Sequence, residues 1–137
     1  MGADVALNTF EDDFLDVVMQ RTNGRGVDVV YEAAGSPDTI NLGLKCARPA
    51  GRVVVIGLPE KLNFEVDLHT ALGKELNIQM MRRSNHRSRP AVALLAAGGV
   101  PTSLITHRLP IAQAQQGFEM CRSCADGVGK LIFHFDA

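Results

Sequence analysis

The 137-residue sequence has little net charge and no long apolar run. Its formal net charge is −1 and the two signs are interspersed, which argues against a polybasic face for nucleic acid or a membrane surface. The densest basic run, Arg82, Arg83, Arg87 and Arg89, has no interleaved aromatic residues, so no nucleic-acid partner is predicted. No stretch of about 18 apolar residues occurs, so no membrane contact through a spanning helix is predicted.

Cysteine is scarce as well. Three cysteines are an odd number, which argues against a disulfide framework and favours a reducing, cytoplasmic location. Cys121 and Cys124 are spaced like half of a zinc site, but no second pair exists and Cys46 is remote in sequence. The four histidines are scattered, and the sequence contains neither a G-x-S-x-G elbow nor a Walker loop. These residues therefore predict no metal site and no catalytic constellation.

A complete glycine fingerprint for dinucleotides is also missing. The stretch NGRGVD has Val29 where the third glycine belongs, and GVGKLI has Ile132 at that position. The second stretch also precedes a predicted strand, whereas the fingerprint lies between a strand and a helix. Both stretches are interpreted as turns.

Apolar residues are plentiful at 46%, enough for the core of one domain of ordinary size. Short runs of apolar, β-prone residues are typical of buried strands. They predict strands at residues 3–7, 27–31, 52–58, 76–81, 104–109 and 130–135, and a short extended piece at residues 64–68.

Helices are predicted between these strands. Thr9 with Asp12 resembles a capping box before a helix that stops at residues 23–24. Ser36 and Pro37 form a strong start for a helix that runs to about residue 46. Two further helices are predicted at residues 90–98 and 111–124. Strands that alternate with helices predict an α/β class with a mostly parallel sheet.

The ends of two predicted strands are candidates for a ligand site, because open parallel sheets bind ligands outside the carboxyl ends of their strands. Small residues there let a flat ring approach the backbone, although any turn between a strand and a helix also favours small residues. The candidates at the two strand ends are Ala33, Ala34 and Gly35, and Ile56, Gly57 and Leu58.

Five stretches occur in an order that resembles the C-terminal part of a zinc-containing medium-chain dehydrogenase of the polyol, sorbitol-dehydrogenase-like branch. They are GADVALN, GRGVDVVYEAAGSPDTI, ARPAGRVVVIGLP, DLHTALGKELNIQ and LITHRLPIAQAQQGFE. The resemblance covers essentially the whole chain. The resemblance implies a Rossmann-like parallel sheet with flanking helices. It also implies an oxidoreductase that transfers hydride from an alcohol to NAD or NADP, a small-molecule nucleotide.

The resemblance further implies roles for individual residues. Residues 33–35 are expected to line the adenine side of the cofactor groove, and residues 56–58 the nicotinamide and its ribose. Arg83 lies where the polyol branch often has an arginine, although Arg82 precedes it in place of an aromatic residue. Lys130 matches a basic residue that faces the pyrophosphate in relatives, and it would act there as a point charge.

Several parts of the family pattern are absent from this sequence. The resemblance implies that the first two strands, the glycine-rich loop and the zinc-bearing catalytic domain would lie before Met1. Residues 1–103 are therefore expected to form an incomplete cofactor domain, and residues 104–137 a segment that in relatives returns to the catalytic domain. The 137-residue chain alone is expected to hold no zinc ligands and to be inactive.

The resemblance also implies a homo-oligomer that pairs through the edge strand from Leu76 to Met81, as relatives do. Two alternatives from another class stay open. The chain could be a non-catalytic nucleotide-binding module, or a self-associating module that pairs through open strand edges.

Overall fold

A computed structural model describes residues 2–9, 13–61, 63–84 and 86–135 of the chain. The chain divides into two units, residues 2–85 and residues 86–137, and each contains its own parallel sheet. The boundary predicted at residues 103–104 concerns the course of the chain in relatives, and it stays a prediction.

The first unit alternates helices with strands and contains a three-stranded parallel sheet. Its elements are α1 (Phe14–Arg21), β1 (Val27–Glu32), α2 (Pro37–Cys46), β2 (Ala47–Val55), α3 (Leu68–Gly73) and β3 (Asn77–Met80). The strand order is β1-β2-β3, and all pairs are parallel. Glu32 lies opposite Val55, and Val55 opposite Met80, so the three strands end at the same edge of the sheet. The predicted α/β class with a parallel sheet is confirmed.

Helix α2 covers this sheet and begins where the sequence predicts. The Ser36 hydroxyl accepts a hydrogen bond from the Thr39 backbone N–H at 3.1 Å, and Pro37 occupies the first helical position. Ile40 and Leu44 on its inner face are buried against Val53 and Val55 of β2. The Thr39 hydroxyl in the first turn of α2 donates to the Glu32 carboxylate at 2.8 Å, so the helix begins beside the carboxyl end of β1.

The second unit contains α4 (Ser88–Ala96), β4 (Ile105–Pro110), α5 (Ala114–Ser123) and β5 (Lys130–His134). Strands β4 and β5 pair in parallel, and short 3-10 turns precede β4, precede α5 and follow α5. Gly117 of α5 packs so closely on β5 that a Cβ there would lie 2.7 Å from the Phe133 ring. The Phe118 and Phe133 ring centroids are 5.7 Å apart. The strands and helices predicted here are confirmed within a few residues.

Two predictions for the N-terminal segment are wrong. Residues 3–7 form no strand, because a strand needs a ladder partner and the described part of the chain gives them none. Helix α1 is not capped by Thr9: it begins at Phe14, and Asp13 caps it by accepting from the Asp16 backbone N–H at 3.2 Å. Asp12, the second half of the predicted capping box, lies outside the described residues.

Two boundaries in the middle of the chain also differ from the predictions. Strand β2 begins at Ala47 and ends at Val55, so residues 56–58 form a turn beyond the strand. The extended piece predicted at residues 64–68 is wrong at its end, because Leu68 begins α3. Asp67 starts that helix by accepting from the backbone N–H of Thr70 at 3.0 Å, a local bond that outweighs the alternating pattern.

None of the helices in the described part of the chain has the length and apolar character that a bilayer crossing requires.

Candidate functional site

The turns that follow β1 and β2 meet at the carboxyl edge of the first sheet. Ile56 and Gly57 donate their backbone N–H groups to the main-chain oxygen of Glu32, at 2.7 Å and 3.0 Å. These bonds continue the pairing of the two strands beyond the point where each strand ends. We call residues 33–35 and 56–58 together the wall.

Two glycines let the turns of the wall approach each other. A Cβ on Gly57 would lie 2.2 Å from the backbone nitrogen of Gly35, which no real side chain could tolerate. Gly35 itself has a φ of +74°, and a Cβ there would lie 2.8 Å from the Leu58 backbone nitrogen. Both positions therefore require glycine for a steric reason, and the main chain alone forms the contact.

The outer side of the wall is small and apolar. Ala33 and Ala34 are exposed, and so are the Ile56 side chain at 50% and the Leu58 side chain at 83%. These methyl and methylene groups offer a flat ring an apolar surface. The six wall residues predicted from the sequence are thus brought together by the structure, and their roles toward a ligand stay predictions.

The two predicted basic residues are not part of the wall. Arg83 is exposed and follows the end of β3, which places it at the same edge of the sheet as the wall. Lys130 is exposed and begins β5 in the second unit. Their predicted contacts with a nucleotide stay predictions.

A cavity of about 390 Å³ lies between α1, β1 and α2. Its lining is mainly apolar, with Phe14, Val18 and Val29 among the contributing side chains. Glu32 and Ala34 contribute at the end of β1, so the cavity reaches the wall from the side of α1. This lining has the character of an interior packing surface and offers few groups for catalysis.

The cysteines do not form a site in the part of the chain that the structure describes. Cys121 and Cys124 are free and exposed, and Cys124 ends α5 in the left-handed conformation with a φ of 50°. Burial raises the pKa of the Cys46 thiol, which keeps it protonated and unreactive. No group of three His, Cys, Asp or Glu residues that could hold a metal ion occurs among the described residues.

Glu32 is the residue at this site to which the sequence assigns no role. It is the last residue of β1, and its side chain is buried with an exposed fraction of 4%. Its carboxylate accepts hydrogen bonds from the backbone of the first turn and from Thr39. A sequence pattern could have indicated this role. An acidic residue ends an apolar strand, a turn of small residues follows, and a hydroxyl residue lies in the first turn of the next helix.

Comparisons with known proteins point to one family. Residues 1–97 match the family described as zinc-binding dehydrogenase. Over 126 residues the chain is 35% identical to L-threonine 3-dehydrogenase from Bacillus velezensis, covering 89% of this chain and 36% of that protein. Over 120 residues it is 31% identical to sorbitol dehydrogenase from Bacillus subtilis, covering 87% of this chain and 34% of that protein.

Solved structures agree with these sequence relatives. An alcohol dehydrogenase from Thermus sp. ATN1 superposes with a TM-score of 0.86 at 28% identity, covering 98% of this chain and 39% of that one. A zinc-dependent alcohol dehydrogenase from Streptococcus pneumonia gives 0.86 at 26% identity, covering 99% of this chain and 40% of that one. The chain thus spans little more than a third of the length of the proteins it resembles.

Proposed function

Because the chain belongs to the zinc-binding dehydrogenase family, we propose that it is the cofactor-domain portion of an NAD(P)-dependent alcohol or polyol dehydrogenase. The observation that carries the proposal is the wall. There the turns at the carboxyl ends of the adjacent parallel strands β1 and β2 are held together by main-chain hydrogen bonds and close main-chain contacts. Ligands of open parallel sheets bind at this edge. The resemblance to the polyol branch that the sequence indicates agrees with the relative named sorbitol dehydrogenase, while another relative is named for threonine.

The wall residues fit one side of a nicotinamide dinucleotide. We assign Ala33, Ala34 and Gly35 to the adenine side, because their small size leaves the backbone open to a ring. Ile56 and Leu58 would cover the nicotinamide and its ribose with apolar surface and exclude water from that face. When bound, the cofactor would supply the hydride acceptor for oxidation of an alcohol carbon.

Two basic residues are assigned to the phosphates of the cofactor. Arg83 follows β3 at the same sheet edge as the wall, and we propose that its guanidinium pairs with a phosphate. Lys130 would contribute a single positive charge through its ammonium group. The residues assigned here do not distinguish NAD from NADP, so the chain is titrated with both.

The described residues of the chain offer no zinc site. The family description and the name of the Streptococcus pneumonia relative both refer to zinc. The described residues of this chain contain no group of three potential ligands, so they do not fit a zinc site. We therefore assign zinc to no residue here and derive no step through it.

Titration of the ¹⁵N-labelled chain with NAD, NADP and AMP, followed by NMR, tests the proposal. We expect amide shifts at the wall and near Arg83 and Lys130, with a dissociation constant of about 1 mM or weaker, roughly −4 kcal/mol. The chain alone is expected to oxidise no alcohol with either cofactor. Shifts that avoid residues 33–35 and 56–58, or no shifts with any nucleotide, would contradict the proposed site.

Two exposed leucines provide a matched pair of variants for this titration. Leu58 in the wall has an exposed fraction of 83%, and Leu72 on α3 has 75%. Leu58→Ser should weaken nucleotide binding about threefold to tenfold through lost apolar contact, while Leu72→Ser should leave it unchanged. Equal effects of both substitutions would show that the wall does not bind the nucleotide.

A second candidate function is a self-associating module without catalysis, and the open edges of the first sheet favour it. Strands β1 and β3 each pair with β2 alone in the three-stranded sheet. Unpaired strand edges are templates for pairing with another chain. The titration separates the two candidates, because a self-associating module without a cofactor site would show no amide shifts at the wall with any nucleotide.

A further inference from the structure

The carboxylate of Glu32 is buried, and among the described residues only one of its two oxygens accepts hydrogen bonds. Oε1 accepts hydrogen bonds from the backbone N–H groups of Ala34 at 2.9 Å and Gly35 at 2.7 Å, and from the Thr39 hydroxyl at 2.8 Å. Three donors on a single carboxylate oxygen hold the first turn of the wall and the first turn of α2 against the end of β1.

The other carboxylate oxygen, Oε2, is buried and has no hydrogen-bond partner among the described residues. It lies 2.9 Å from the position that a Cβ on Gly57 would occupy, and so it faces the second turn of the wall. A buried polar atom without a partner lowers stability. Stability alone is therefore a poor explanation for a carboxylate at this position.

Glu32 also contacts the second turn through its main chain. Its carbonyl oxygen accepts the N–H groups of Ile56 and Gly57, so one residue is bonded to both halves of the wall. We propose that Glu32 is a positioning residue, which fixes the spacing between residues 33–35 and residues 56–58 and thereby the shape of the nucleotide-binding surface. The link to the nucleotide rests on the proposed function, whereas the spacing of the turns is measurable without any ligand.

A simpler role for Glu32 predicts something different. If its carboxylate only stabilised the start of α2 through Thr39, its loss would affect that helix and the overall stability. If Glu32 positions both turns, its loss would also loosen the N–H groups of Ile56 and Gly57, which contact only its main chain. The amides of the second turn therefore distinguish the two roles.

Amide hydrogen exchange on the 137-residue chain tests the positioning role. Two variants of Glu32 separate the length of its side chain from its negative charge. Glu32→Asp keeps the charge but shortens the side chain, so its oxygens should no longer reach both Ala34 and Gly35. Glu32→Gln keeps the reach and one acceptor oxygen. We expect exchange at residues 34, 35, 56 and 57 to accelerate about tenfold or more in Glu32→Asp and only about threefold in Glu32→Gln, since charge-assisted bonds are stronger than neutral ones.

Reporter amides away from the wall separate local loosening from global loss of stability. The Ala50 N–H donates to the Lys74 carbonyl at 2.7 Å, elsewhere in the same unit. Its exchange should change less than that of the wall amides in both variants. Wall amides that accelerate no more than Ala50, or a larger effect of Gln than of Asp, would overturn the proposal.

Nucleotide titration of the same variants connects the spacing of the wall to binding. Affinity for AMP and NAD should fall in the order wild type, Glu32→Gln, Glu32→Asp. Asp67→Asn is the control, because Asp67 also accepts from a backbone N–H and a hydroxyl, both of Thr70, but lies outside the wall. If the wild type binds neither nucleotide, the proposed function loses its support, and the exchange experiment still decides whether Glu32 positions the turns.

Discussion

Gly57 shows how a single residue permits the contact between the two turns of the wall. A Cβ at this position would lie 2.2 Å from the nitrogen and 2.5 Å from the Cα of Gly35. Both atoms belong to the main chain, so a Gly57→Ala substitution must push the turns apart. We expect it to lower the free energy of unfolding by about 1–3 kcal/mol, as overpacking typically does, and to weaken nucleotide binding. Urea unfolding followed by circular dichroism measures the first effect.

Gly73, at the end of α3, is the matched control. Apart from its chain neighbours and the backbone of its own helix, no atom of the described residues lies within 4 Å of the position that its Cβ would occupy. Gly73→Ala should therefore leave stability unchanged or raise it by up to about 1 kcal/mol, because alanine favours the helix more than glycine does. If the two alanine variants unfold at the same urea concentration, the close approach of the turns is not real.

Asp28 gives the stability of the first unit a pH dependence. Its carboxylate accepts from Arg25 at 2.8 Å and from Arg48 at 2.6 Å, and hydrogen bonds from these guanidinium groups hold its pKa well below the ordinary value. A depressed pKa stabilises the folded state above the unfolded pKa of about 4, and this contribution is lost as the pH falls toward the folded value. Asp28→Asn should therefore be less stable than the wild type at pH 7, with a gap that narrows below about pH 4.

Urea midpoints of both proteins at several pH values measure that gap. Added salt is the control, because Arg25 and Asp28 are exposed and Arg48 is partly exposed, and salt screens exposed charges. The difference between wild type and Asp28→Asn at neutral pH should shrink in concentrated NaCl. A gap that widened as the pH fell would contradict the assigned ion pairs.

At the level of elements, Lys74 stabilises the end of α2. Its ammonium group donates to the carbonyl oxygens of Leu44 at 3.3 Å, Lys45 at 2.5 Å and Ala47 at 2.8 Å. These carbonyls lie at the negative end of the helix dipole, where a cation is favourable. Lys74→Met keeps the aliphatic stem and should lower the free energy of unfolding by about 1–2 kcal/mol, as measured by urea unfolding.

Lys61 is the comparison for this substitution, because it is an exposed lysine in the loop after β2. Lys61→Met should change the free energy of unfolding by no more than about 0.5 kcal/mol. If Lys61→Met lost as much stability as Lys74→Met, removal of any positive charge would destabilise the chain equally. The contacts of Lys74 with the end of α2 would then contribute little.

Elements that depend on local chemistry could be predicted from the sequence. The start of α2 is determined by Ser36 and Pro37, whose effects act within one helical turn. Residues 3–7 could not be predicted in the same way, because an apolar run forms a strand only if another strand pairs with it. The role of Glu32 was equally hidden, since it depends on how the backbone of residues 33–35 folds back onto the carboxylate.

At the scale of the whole molecule, we expect association to depend on the outer strands of the first sheet, which pair with β2 alone among the described residues. Strands β1 and β3 are the outer strands of this sheet, and several large apolar side chains are exposed nearby, including Tyr31 at 70% and Met80 at 66%. Following the expectation that residues 76–81 pair between copies, we propose that β3 is the edge that associates. A surface with this much exposed apolar area is typical of a protein that contacts another chain.

Two positions of similar exposure, one on each edge strand, distinguish the edges. Val29 on β1 has an exposed fraction of 38% and Ile78 on β3 has 39%, so a lysine at either site introduces the same charge at similar exposure. Because Val29 also lines the cavity between α1, β1 and α2, circular dichroism is used to check that Val29→Lys keeps the fold. Lysine on an edge strand opposes pairing with another strand. Sedimentation equilibrium should therefore show the wild type and Val29→Lys as oligomers and Ile78→Lys shifted toward the monomer. The opposite pattern would identify β1 as the associating edge. A monomeric wild type would show that neither edge strand pairs with another copy of the chain.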